Sequence, residues 1–113
     1  MLRRFVLLSA CVMAMASPAA ASDAQMGNIL HLYATSTGAV MFDTTGSIGA
    51  RPACQGSNVP NRFAIDASTV AGQSMAAALM TAYSLHKRIY IVGTGACSIW
   101  GDTETVAWFM VED

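Results

Sequence analysis

One segment, Ser68 to His86, limits what this chain can become, because it is the only long helix-forming run set among short strand-like runs. Ser68 or Thr69 can cap its first turn. Ala71, Ala76, Ala77, Ala78 and Ala82, with Leu and Met between them, favour helix from there on. At 1.5 Å per residue the helix would be about 28 Å long. Met75, Leu79, Ala82 and His86 share a stripe, with Ala78 and Leu85 beside it, that should lie on a sheet. Gln73, Ala77, Thr81 and Ser84 form the opposite face, only mildly polar for a solvent-facing surface, which suits a second packing partner. Lys87 and Arg88 follow at the negative end of the helix.

Before the helix, a polar start over 22–27 leads to two strand patterns, 28–35 and 39–43, joined by the Ser36-Thr37-Gly38 turn. Residues 44–61 are rich in Gly, Pro and small polar residues and read as a loop of about 18 residues. Arg62 to Asp66 is a third strand. After the helix come a strand over 89–92, a turn at Gly93-Thr94-Gly95, a continuation over 97–100, a polar turn over 101–105 and a last strand over 106–111. The expectation is a mainly β fold with one long helix, most economically a small closed antiparallel barrel. Closure removes the exposed edges that so short a chain could not otherwise cover.

The chain has 113 residues, and its first 21 have the form of an export leader: Arg3 and Arg4, an apolar run from Phe5 to Ala16, Pro18, and the small residues Ala19-Ala20-Ala21. Leu8-Ser9-Ala10-Cys11 also matches a lipoprotein cleavage box. The apolar run continues past Cys11, however, so cleavage near Ala21 is the expected event. The run is too short for a membrane span, which needs about 20 apolar residues. The exported domain is then 22–113, in the periplasm or outside the cell. It keeps 4 of the 6 basic residues and all 7 acidic ones, a formal charge of −3, which argues against nucleic-acid binding. Two cysteines remain, Cys54 and Cys97. In an oxidising compartment an even pair reads as a disulfide, for which the chain-entropy model gives about 4 kcal/mol at this loop length.

Signatures of catalysis are weak. Thr45-Gly46-Ser47-Ile48-Gly49 misses the nucleophile elbow at its first position and leads to no helix. Gly93-Thr94-Gly95 precedes another strand, so no helix N-terminus is available for a phosphate. His31 and His86 have no partners at metal-ligand spacing, no Cys-x-x-Cys pair occurs, and both histidines read as structural. No catalytic residue, metal site or cofactor is expected. Asp102, Thr103 and Glu104 read first as an exposed polar turn that ends the strand after Trp100; as the lesser reading, Trp100 beside them offers an aromatic face next to hydrogen-bonding groups, the combination that holds sugars. Trp108 reads as core or subunit interface, and Met41, Met75, Met80 and Met110 as core filling.

The run Gly72-Gln73-Ser74-Met75-Ala76 to Met80-Thr81-Ala82-Tyr83, then Ile89-Tyr90-Ile91, Cys97-Ser98-Ile99-Trp100 and the strand over 106–111, resembles the B subunits of AB5 bacterial toxins. That resemblance implies an OB-fold barrel that binds cell-surface glycans without catalysis as a homo-oligomeric ring, a pentamer in that family. It aligns Ala82-Tyr83 with the helix end, Cys97 with a disulfide cysteine and Trp100 with a sugar-stacking ring. Trp100 stands three positions after Cys97 where the cholera-like pattern has two, and the cysteine partner would be Cys54 rather than one near the N-terminus. A toxic A subunit stays open. So does the alternative of a stand-alone periplasmic or secreted module that binds a protein partner.

Overall fold

The computed structural model describes residues 21–113; residues 1–20, which hold Cys11 and all but the last residue of the expected leader, lie outside the described residues. The elements are β1 (Asp23–Gly27), β2 (Ile29–Ala34), β3 (Ala39–Thr44), β4 (Arg62–Asp66), α1 (Val70–Ser84), β5 (Ile89–Gly93) and β6 (Glu104–Val111). They form one curled six-stranded sheet in the order β1-β5-β6-β4-β3-β2, a mainly β architecture with one helix, as expected. Its two ends, β1 and β2, are consecutive in the chain with Asn28 alone between them. The other side of β1 is tied to the segment after β3: the Gln25 amide donates to Ser47 O at 2.9 Å and Gly49 to Asp23 O at 3.0 Å. The sheet is not wholly antiparallel, because β4 and β6 run parallel with Phe63 opposite Glu104. The helix stands between β4 and β5, and β5, which pairs antiparallel with β6, therefore runs opposite to β4.

Three local expectations are corrected. The polar start is a strand, β1, held by pairing with β5 (Asp23 opposite Val92, Ala24 opposite Ile91) rather than by apolar content of its own. The 97–100 run is no strand continuation: only Trp100 enters a bridge, with Thr103, while Cys97 is bonded to Cys54 across 43 positions with a Cα–Cα distance of 6.1 Å. The helix is shorter and rotated. Its buried stripe keeps Leu79 and Ala82 but runs on through Ala76 and Gly72, with Met75 partly buried at its side and His86 outside it.

Close packing explains the rotation. A Cβ on Gly72 would stand 1.6 Å from the Asp66 carbonyl oxygen, so this face of the helix lies directly against the end of β4. Thr69 caps the start by accepting from the Gly72 amide at 3.0 Å. At the other end Lys87 N donates to Ala82 O at 2.9 Å and His86 N to Tyr83 O at 3.2 Å, the paired bonds of a Schellman cap. His86 takes the left-handed position of that cap, with φ of 53°, and so leaves the helix before it could extend the stripe. The core beneath is Ile29, Phe42, Phe63, Ile65, Leu79, Ile89 and Ile91 with small residues around them. No helix among the described residues is long and apolar enough to cross a membrane.

Candidate functional site

The strand β2 loses its alternation at a bulge, and this creates an open polar groove. Its register against β3 shifts between Leu30 and Tyr33, and His31 sits at φ of 47°. The extra residue changes the phase of the strand: Ile29 is in the core and Leu32 packs against it, while Leu30, His31 and Tyr33 are exposed. His31 Nδ1 lies 3.1 Å from Asp43 Oδ2 on β3, and Tyr33 Oη donates to the same oxygen at 3.3 Å. These groups open on a groove of about 390 Å³ whose facing wall is Asn58, Val59, Pro60 and Asn61, the end of the long loop. The Tyr33 ring keeps 40 % of its surface exposed.

Arg62 joins this groove to the turn around Trp100. Its guanidinium carbon lies 6.0 Å from the centre of the Tyr33 ring. Nη2 donates to Asp102 Oδ1 at 2.7 Å, and Nε donates to Thr103 Oγ1 at 2.9 Å. Thr103 Oγ1 in turn donates to Asp102 Oδ1 at 3.0 Å. The loop is drawn onto the same turn, since the Gly56 amide donates to Asp102 O at 2.8 Å and the Glu104 amide donates to Gln55 Oε1 at 2.7 Å. With the disulfide at Cys54, these bonds turn a Gly- and Pro-rich segment into a fixed wall.

The four residues singled out in the sequence divide into two pairs. Trp100 is half-buried and Asp102 keeps 45 % of its side chain exposed, so both reach the surface, Asp102 against Arg62. Thr103 and Glu104 are 0 % exposed. Glu104 is not part of a solvated turn: β6 starts at this residue and points the side chain inward, where Ser22 and Gly95 donate to it and Arg51 stands 3.7 Å away. Burial pulls the Arg51 guanidinium below its ordinary pKa, an effect that the Glu104 charge partly offsets. Arg51 is held by the Arg62 carbonyl at 2.6 Å and by the face of Phe63, 4.1 Å from its ring centre.

Reasoning from the sequence passed over Tyr33, Asp43 and Arg62. The available signal was the hairpin itself, since a turn at 36–38 sets β2 against β3, with Tyr33 opposite Met41 and Asp43 two residues further along β3. A bulge has no such signal, and without it His31 and Tyr33 would share the inward face with Ile29. Among the described residues no three His, Cys, Asp or Glu side chains gather as a metal site. No family model, curated protein or solved structure matches the chain.

Proposed function

We propose that this is an exported, non-catalytic carbohydrate-binding domain with the groove at Tyr33, His31 and Asp43 as its principal site. One observation carries the proposal: an exposed tyrosine ring stands beside a carboxylate and an imidazole on an open groove whose far wall presents Asn58 and Asn61. A pyranose can lay its C–H face on the ring while its hydroxyls bond the carboxylate and the amides. Trp100 and Asp102 extend the site on the far side of Arg62, in keeping with the resemblance to toxin B subunits. The same resemblance gives the curled sheet a reading as an OB-like barrel, with β1 and β2 as one bent strand that serves both ends. A glycan array probed with the exported protein tests this. Selective binding, weakened by Tyr33→Ala and by Trp100→Ala without loss of fold, is expected; silence across sialylated and neutral glycans overturns it.

A ring of copies would make weak sugar sites effective, since linked sites raise avidity by about 10²–10⁴-fold. Trp108, Met110 and Val111 on β6 support self-association, being large, apolar and exposed, with Trp108 at 51 %. Trp108 and Val111 border an apolar groove of about 450 Å³ against Met75 and Ala78 of the helix. That groove equally favours the second reading, a stand-alone module that binds a protein partner. Light scattering separates them: an oligomer supports the ring, and a monomer at micromolar concentration supports the module.

A further inference from the structure

The most deeply buried carboxylate in the described chain meets the first residue of the expected exported form. Glu104 is 0 % exposed and Ser22 2 %. The Ser22 amide nitrogen donates to Glu104 Oε2 at 3.1 Å, and the Ser22 hydroxyl donates to Oε1. The Gly95 amide donates to Oε2 at 2.8 Å. Arg51 is the cation that accompanies them, yet its Nη1 stands 3.7 Å from Oε1 and donates to Ser22 Oγ at 3.3 Å instead. A charge withdrawn this far from water is costly unless it is both paired and hydrogen-bonded. In an uncut chain, the nitrogen nearest to Oε2 on this side is a neutral amide.

We infer that the Ala21–Ser22 bond is the one hydrolysed on export, and that the Ser22 α-ammonium becomes the buried counter-ion of Glu104. The reaction needs water and a leader peptidase that accepts small residues, which Ala19 and Ala21 supply. Water's oxygen joins the Ala21 carbonyl to form a carboxylate. The amide nitrogen leaves with Ser22 and is protonated near neutral pH, the ordinary α-amino value being about 7.7–8.0. The nitrogen need not move to make the ion pair, because the Gly93 amide already holds the Ser22 carbonyl at 2.8 Å. The pocket also fixes the residue. Ala21 is exposed, so a chain beginning there would carry its charge outside. A chain beginning at Asp23 would lose both Ser22 donors. The carboxylate cannot swing away toward β5, since a Cβ on Gly93 would lie 2.0 Å from Oε2 and even hydrogen fills that side.

The inference is independent of sugar binding and is tested without it. The full-length gene is exported with and without a glycine inserted between Ala21 and Ser22, each in the native and the Glu104→Gln background. Intact mass should place the native start at Ser22. The Ser22-first form should have an unfolding equilibrium constant at least about tenfold lower than the glycine-extended form, and Glu104→Gln should shrink that ratio to about twofold or less. A start elsewhere, or equal stabilities in the native background, overturns the inference. Periodate cleaves the 1,2-amino alcohol of an N-terminal serine and requires no variant. Protection of the folded protein with reaction after unfolding supports the buried ammonium, and equal rates in both states overturn it.

Discussion

Glu104 and Asp43 are both carboxylates set beside an aromatic ring and a basic side chain, and the fold puts them to opposite uses. Around Glu104 the amides of Ser22 and Gly95, the Ser22 hydroxyl and Arg51 close the site, with Phe63 beneath the guanidinium. Around Asp43 the partners are His31, 68 % exposed, and Tyr33, 40 % exposed, on a groove open to solvent. The same side-chain chemistry is structural where backbone donors saturate it and available to a ligand where they do not. Local composition does not distinguish the two, since Glu104 sits in a more polar stretch than Asp43.

The largest effect should come from the closed site. Glu104→Ala leaves Arg51 buried without its counter-charge and should destabilise the protein by about 3–5 kcal/mol in urea unfolding; a loss below about 1 kcal/mol would break the distinction between the two carboxylates. Next, replacing Cys54 and Cys97 by serine should cost up to about 4 kcal/mol and speed proteolysis within residues 44–61. If the disulfide is what steadies the wall that carries Asn58 and Asn61, glycan binding should fall along with stability. Within the open site, Tyr33→Ala should cost under about 1 kcal/mol of stability while weakening sugar binding up to about tenfold, as expected for one stacking ring. Matched losses in both measurements would instead make the groove a structural contact.

A third carboxylate supplies the smallest effect. Glu112 accepts from the Arg88 side chain at 2.8 Å and from the Arg88 amide at 2.8 Å, and these bonds hold its pKa below the ordinary carboxylate value. The folded form therefore gains stability above the ordinary carboxylate range and loses it as pH falls through the lowered pKa. The gain should be small for an exposed pair. Acid titration of the native protein against Glu112→Gln should give curves that differ slightly at neutral pH and converge in acid. A large difference at neutral pH would place Glu112 with Glu104 rather than with surface groups.

Much of the architecture was legible because it rests on local spacing. The capped alanine-rich helix, the 36–38 turn and the strands over 39–43, 62–66 and 89–92 follow from neighbours in sequence, and the pairing of Cys54 with Cys97 from a count of cysteines. What escaped depends on partners far along the chain. β1 is a strand because β5 lies beside it, about 67 residues away by register. The inward turn of Glu104 is decided by Ser22, 82 positions earlier. The outward turn of Tyr33 is decided by one extra residue in β2, which reverses the faces of everything after it.

By itself the amino-acid sequence determined the helix and the strands other than β1, since helix caps, turn residues and apolar periodicity act within a few bonds. It also determined that the bridge would join Cys54 to Cys97. Only the tertiary structure decided which polar groups face water. Exposure is a property of the surrounding sheet, loop and chain terminus together, and of two carboxylates the one in the more polar stretch of sequence is the one that the fold buries.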